Sequence, residues 1–289
     1  MKKANNIKVI HSFWSKPFLN NRWGVTDQFR KNIFTYALSA VYAKKMFGNI
    51  TLVCDSVGAE LLEIIEYNEI NNSLDDLEEV NPKFWTYGKV KSLSLYNEPV
   101  LHIDGDVLLI FDTLKEVFLS NWDVIVQMKE IGSHYTSTYS EMLPTVSKVV
   151  GFIDYGLYNF VYNCGVIGFK DIEFKNQYCH TFFDTIEKCN LGISELDKID
   201  GKYEINCALE QSLLTVMAEN NNKYVKEILP LAKMEEISLQ GLANKIGYAH
   251  LWGKAKYDEF CLNKVRKKLY ELDEKLYKRV MSQYKKYSV

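Results

Sequence analysis

The chain has 289 residues, 47% of them apolar and 25% charged. That is an ordinary globular composition, long enough for a sizeable core, which argues against intrinsic disorder. With 35 basic against 37 acidic residues the formal net charge is −2, so overall charge gives no argument for nucleic-acid binding.

The N-terminal Met1-Lys2-Lys3-Ala4-Asn5-Asn6 is basic but leads into a short apolar strand, so no signal peptide is expected. No apolar run approaches the roughly 18 residues a spanning helix needs. The six cysteines, Cys54, Cys164, Cys179, Cys189, Cys207 and Cys261, form no C-x-x-C pair. Free, mostly buried thiols in a reducing, cytoplasmic compartment are the expectation.

Lys8–Phe13 reads as a strand. Thr26 or Asp27 is placed to cap a helix through about Met46, with Phe29, Ile33, Tyr36, Ala37, Ala40 and Val41 at helical spacing. Gly48-Asn49 stops it. Ile50–Cys54 is a continuous apolar strand ending at Asp55, and residues 58–67 are helical in pattern. Pro82 precedes a helix over Phe84–Leu95. Val100–Ile103 is a third apolar strand, running into Asp104-Gly105-Asp106. Short apolar strands alternating with helices predict an α/β fold, a Rossmann-like, mainly parallel central sheet flanked by helices. In such sheets ligands bind at the carboxyl ends of the strands, where Asp55 and Asp104 sit.

The second half is less regular. Val124–Gln127 is a strand, residues 131–160 a long loop with short elements, and Asn163–Phe169 a strand with a polar entry. Asp200-Gly201 is a turn, and Ile205–Asn220 a helix. From Asp258 to the end a single amphipathic helix is expected, with Leu262, Val265, Leu269, Leu272, Leu276 and Val280 on one face. The predicted organisation is one domain over residues 1–256 with a C-terminal helical extension over residues 257–289.

Two features carry chemistry on their own. Asp104 and Asp106, one residue apart after an apolar strand, suit a hard divalent cation that also holds a diphosphate, and Gly105 lets backbone approach a ligand closely. His250-Leu251-Trp252-Gly253-Lys254-Ala255-Lys256 combines an imidazole suited to manganese-like ions, a glycine turn whose N–H groups can face phosphate, and a lysine that can neutralise it. Asn163-Cys164-Gly165 and Glu210-Gln211 are weaker singly; the ordinary readings are a strand-entry turn for the first and a polar pair near a helix centre for the second.

In this order (strand–Asp-x-Asp, Asn-x-Gly-Val, acid-Gln on a helix, His-x-x-Gly-x-x-Lys) the motifs resemble the nucleotide-sugar transferases of the GT-A fold, most closely glycosyltransferase family 8 and its relatives. Phe84-Trp85-Thr86-Tyr87-Gly88-Lys89 together with Glu98–Asp106 also resembles a less characterised bacterial glycosyltransferase-like group. The resemblance covers roughly residues 7–256. It implies that Asp104, Asp106 and His250 bind a divalent cation, Mn2+ first and Mg2+ second, with Asp104 also meeting the ribose. It implies that Lys256, with Gly253 in its turn, and Lys89 meet the diphosphate of a UDP-sugar donor. Phe13 and Asp55 would line the nucleotide pocket. Asn163, Gly165, Glu210 and Gln211 would border the sugar and a glycan, lipid-linked or protein acceptor. The chain departs from the family at Glu210, where Asp is usual, at Cys164, where a small residue is usual, and at Tyr257-Asp258, where Pro-Trp is usual.

The expected activity is metal-dependent transfer of a sugar to an acceptor hydroxyl with retention, in the synthesis of a bacterial surface glycan. A sugar-nucleotide-binding protein without transferase activity is the alternative. An Asp-nucleophile phosphatase ranks lower, because it normally has Thr or Val where this chain has Leu108. From Asp258 onward nine basic residues face five acids, so this segment either packs on the domain by its Leu/Val face or rests weakly on an anionic membrane surface.

Overall fold

The computed structural model describes residues 7–20, 24, 27–198, 205–230 and 239–287. Met1–Asn6, Thr26 and the Asp200-Gly201 turn lie outside the described residues. The chain divides into two compact units. The first comprises residues 1–92, 101–119 and 243–289; the second comprises residues 93–100 and 120–242.

In chain order the elements are β1 (Lys8–Phe13), α1 (Ser15–Leu19), α2 (Gln28–Phe47), β2 (Thr51–Cys54), α3 (Ser56–Leu62), β3 (Glu69–Asn71), α4 (Tyr87–Ser94), β4 (Val100–Ile103), β5 (Val107–Leu109) and α5 (Leu114–Leu119). There follow β6 (Val124–Glu130), α6 (Gly132–Tyr135), α7 (Leu143–Val150), β7 (Val161–Phe169), α8 (Ile172–Leu191), α9 (Ile193–Asp197), α10 (Ile205–Cys207), α11 (Leu213–Asn220) and β8 (Val225–Glu227). The last elements are α12 (Leu239–Ile246), β9 (Tyr248–His250), α13 (Glu259–Leu272) and α14 (Glu274–Lys286). This is the mixed α/β architecture expected, with mainly parallel strand pairing and flanking helices.

In the first unit the strand order is β3-β2-β1-β4. β1 pairs β2 in parallel, with Phe13 opposite Cys54, and β2 pairs β3 in parallel. β2 and β4 are buried at every position, which is why they read as unbroken apolar runs rather than alternating ones. A separate two-stranded antiparallel pair joins β5 to β9.

Helix α2 is buried along much of its length because it packs against β5 on one side and α13 and α14 on another. Its start differs from expectation. Asp27 occupies the N-cap position with a left-handed backbone, φ 61°, and makes no capping hydrogen bond. Its carboxylate instead accepts from Arg30 at 2.5 Å. At the other end Gly48, φ 84°, closes the helix, a conformation that suits glycine.

The expected single C-terminal helix is two helices. Asp273 adopts an extended backbone, and its carboxylate accepts from the Leu276 N–H, capping α14. The break allows both apolar faces to reach α2: Leu262, Val265, Leu269, Leu276 and Val280 are buried, whereas Leu272 is 43% exposed. The Arg266 guanidinium lies 4.5 Å from the Phe34 ring centroid and the Arg30 guanidinium 4.6 Å from that of Tyr284, adding cation–π contacts to the seam.

In the second unit the strand order is β7-β6-β8, with β6–β7 antiparallel and β6–β8 parallel. β7 is buried at every position. Residues 131–160, expected to be a loop with short elements, hold α6, a π-helical turn over Thr136–Ser140, and α7. The helix expected over Ile205–Asn220 contains a second π-helical turn, Ala208–Ser212, between α10 and α11. Such turns bulge the backbone and often mark functional sites; this one carries Glu210 and Gln211. Among the described residues no helix is long and apolar enough to cross a membrane. Of the cysteines, Cys54, Cys164, Cys179 and Cys189 are buried, and Cys207 and Cys261 are partly so.

Candidate active site

The first unit gathers the acidic triplet, the histidine and both lysines. β4 delivers Asp104 at its carboxyl end, and the turn through Gly105 places Asp106 immediately before β5. The turn is closed by the Val107 N–H donating to the Asp104 carbonyl at 2.9 Å. β9 lies antiparallel to β5 with His250 opposite Val107, and the Leu251 N–H donates to the Asp106 carbonyl at 3.0 Å. One ligand atom from each of Asp104, Asp106 and His250 lies within 4.8 Å of the others.

Gly105 also has a packing role. Its missing Cβ makes room for Tyr36 of α2: a Cβ built there would stand 2.3 Å from ring carbons. The Tyr36 hydroxyl donates to the Ser12 carbonyl at 2.6 Å. The close approach at this glycine is thus made by a protein ring, which clamps the turn to α2 and β1.

Each carboxylate of the pair also holds an ammonium group. Lys256 Nζ is 2.6 Å from Asp106 Oδ2, and His250 Nε2 is 3.4 Å from Oδ1 of the same carboxylate. Lys89 Nζ lies 2.9 Å from Asp104 Oδ1 and 3.2 Å from Oδ2. Asp106 is 7% exposed and Lys89 6%. Burial opposes the charge on Asp106, but Lys256 and His250 outweigh it and hold its carboxyl far below the usual carboxylate range. Lys256 belongs to a 3-10 turn, Gly253–Tyr257, that Gly253 opens with φ +56°.

Behind the triplet lies a buried polar layer not anticipated from sequence. His102 Nε2 is 2.7 Å from Ser12 Oγ, and its Nδ1 is 3.6 Å from Asp104 Oδ1. His11 Nδ1 is 2.9 Å from the Tyr67 hydroxyl and its Nε2 3.2 Å from Ser39 Oγ. Burial pushes the His11 imidazole down to about 3 and that of His102 well below its ordinary value. Both rings are therefore neutral supports for the strands that carry the site.

Phe13 and Asp55 sit at adjacent strand ends, as expected, but both side chains are committed. The Phe13 ring is fully buried, stacked 5.0 Å from Phe18 and edge-on to Tyr36 at 5.1 Å. Asp55 accepts from the Ser15 N–H and hydroxyl at 2.8 and 2.7 Å and from the Gly58 N–H at 2.7 Å, capping α3.

The second unit gathers Asn163 and Gln211 around two further residues, Glu130 and Tyr139. Asn163 Nδ2 donates to Glu130 Oε1 at 2.6 Å, and the Tyr139 hydroxyl lies 3.0 Å from Glu130 Oε2 and 3.3 Å from Gln211 Oε1. Asn163 Oδ1 also accepts from the Gly165 N–H at 2.9 Å. Glu210, 2% exposed, shares the π-helical turn with Gln211, and its carbonyl accepts from Tyr178. The signal available in sequence was an acid at the end of β6: the strand runs three residues past Gln127 to Glu130.

The mainly parallel, helix-flanked α/β sheet sets the fold class: it is the fold of the GT-A glycosyltransferases. The structure is similar to the apo form of the bifunctional glycosyltransferase WbbM, with a TM-score of 0.51 at 11% identity over 97% of this chain and 53% of that one. The chain thus spans about half of that relative's length. Lower similarity is found to the galactosyltransferase LgtC in complex with donor and acceptor sugar analogues, with a TM-score of 0.44, 13% identity, and coverage of 98% of this chain and 97% of that one. Mouse xyloside xylosyltransferase 1 gives a TM-score of 0.40 at 8% identity over 82% of this chain and 92% of that one. No curated protein matches the sequence. The chain belongs to the family of unknown function DUF6734, whose model matches residues 7–283.

Proposed function

We propose that the protein is a metal-dependent glycosyltransferase, moving a sugar from a nucleoside-diphosphate sugar, UDP-sugar foremost, to an acceptor hydroxyl. The observation that carries this reading is the convergence of Asp104, Asp106 and His250 within 4.8 Å, with Lys89 and Lys256 on the same carboxylates. Two carboxylates and one imidazole fit a divalent cation of the Mn2+ or Mg2+ kind. When bound, such a cation neutralises charge that develops on a departing diphosphate. Asp104, Asp106 and His250 would hold it, and Lys256 and Lys89 would stabilise the leaving group electrostatically.

In this reading residues 1–256 form the transferase domain and residues 257–289 its extension. The family 8 resemblance assigns Asn163, Glu210 and Gln211 to the sugar and its acceptor, whether glycan, lipid-linked or protein. The same resemblance favours retention, with the leaving phosphate taking the acceptor proton, so no strong side-chain base is required. Work at the cytoplasmic face of a membrane, with weak contact through the lysines of α13 and α14, fits a lipid-linked acceptor.

The test is a panel of sugar nucleotides read by thermal shift with and without MnCl2, since a ligand that binds only the folded state raises the midpoint. Hits are then assayed for release of free nucleotide and, where product forms, for the anomeric proton by NMR. Mn2+-dependent stabilisation by a UDP-sugar, with nucleotide release lost in Asp106→Asn, is the expected result. Stabilisation without release across all donors and acceptors would favour a sugar-nucleotide-binding protein; no stabilisation by any nucleotide would sink the proposal.

A further inference from the structure

We infer that Lys256 and the divalent cation compete for Asp106, and that a diphosphate relieves the competition by drawing the lysine away, so that cation and diphosphate bind as a coupled pair. This rests on the transferase reading and adds to it a coupling between its two ligands. The resemblance assigns Lys256 to the diphosphate, yet its ammonium group sits 2.6 Å from Oδ2 of a carboxylate assigned to the cation.

Three observations support the competition. First, the carboxylate side is the fixed partner. The Asp106 backbone is tied to β9 through Leu251, its turn is closed by the Val107–Asp104 hydrogen bond, and Tyr36 packs on Gly105. Lys256 is the adaptable partner, a four-carbon stem on a short 3-10 turn that opens at Gly253. Second, the charges already balance. The two ammonium groups of Lys89 and Lys256 offset the carboxylates of Asp104 and Asp106. A divalent ion added alone brings surplus positive charge into a poorly solvated site, where it is weakly screened. A diphosphate supplies the missing negative charge and offers Lys256 a new acceptor. Third, the other Asp106 oxygen faces His250 at 3.4 Å, so a cation shared with His250 stands next to the ammonium group it must displace or repel.

The coupling is read by titrating MnCl2 into the full-length protein, following free Mn2+ by its electron paramagnetic resonance signal, alone and with saturating UDP. Linked sites commonly change each other's affinity about 5- to 150-fold. In the wild type, UDP is expected to tighten Mn2+ binding about tenfold or more. In Lys256→Met, Mn2+ alone binds about tenfold more tightly than in the wild type, and the effect of UDP shrinks. Lys256→Gln, which keeps a polar tip, changes in the same direction and guards against a packing defect. Lys254→Met, an exposed lysine on the same turn, behaves as the wild type and controls for the simple loss of a positive charge. Circular dichroism confirms that each variant is folded. Mn2+ affinity that is unchanged or weaker in both Lys256 variants, or a UDP effect that persists in full, overturns the competition and leaves the transferase reading standing. No Mn2+ binding by any of the proteins overturns both.

Discussion

Val107 lies directly opposite His250 in the antiparallel β5–β9 pair, and that register carries the imidazole to within 3.4 Å of the Asp106 carboxylate. Two three-residue strands thereby bring together ends of the first unit that are far apart along the chain. Because side chains alternate faces with a period of two, a slip of one residue would turn His250 away from the acidic pair.

The first prediction concerns that pair. Asp106→Asn and His250→Ala should each abolish Mn2+-dependent thermal stabilisation and lower nucleotide release by about a hundredfold or more, the scale set by losing one preorganised electrostatic group. Calorimetry with MnCl2 and UDP checks the binding. Unaltered Mn2+ affinity in both variants would exclude these residues as ligands.

Gly105 is a packing position as much as a site position. In Gly105→Ala the new methyl would sit 2.3 Å from the Tyr36 ring, and the ring is buried and hydrogen-bonded. Overpacking of this kind costs about 1–3 kcal/mol. Urea melts should show that loss, and a second substitution, Tyr36→Leu, should recover part of it in the double variant. Equal melts for Gly105→Ala and wild type would refute the clamp.

Stability should fall on mild acidification. The folded state holds His11 neutral down to about 3, while the unfolded chain takes up its proton near pH 6.5. The unfolded state therefore binds more protons between those values, and the contribution of His11 is complete above pH 6.5 and lost as pH falls through the window. For His11 alone the loss at pH 5 relative to pH 7 is about 2 kcal/mol, and His102 acts in the same direction. Denaturant melts across this range, compared with those of His11→Asn, measure it; a slope identical in the variant would assign the effect elsewhere.

In the second unit Glu130 is 2% exposed and holds both Asn163 and Tyr139. Glu130→Ala leaves those two donors facing a void and should cost about 2–3 kcal/mol, whereas Tyr139→Phe should cost about 1 kcal/mol. Paired urea titrations decide the ranking. Should the tyrosine variant prove the more damaging, the carboxylate is not the centre of the network.

Much of the fold was legible in the chain because its strands are buried on both faces. Ile50–Cys54 and Val100–Ile103 appear as apolar runs, and their ends locate Asp55 and Asp104. The break at Asp273 was not legible, because the Leu/Val periodicity continues on both sides of it and only the fit to α2 requires the bend. The short strands β5 and β9 are likewise too brief to leave a periodic signal.

Residue type and motif order, properties of the sequence alone, were enough to single out Asp104, Asp106, His250, Lys89 and Lys256, since charge and ligand chemistry belong to each side chain wherever it sits. What they touch was a tertiary matter. Only three-dimensional packing decided that Lys256 sits on Asp106, that Tyr36 takes the space at Gly105, and that the Phe13 ring is spent in the core. Distance and burial, which set electrostatic strength and steric room, depend on contacts between segments far apart along the polypeptide.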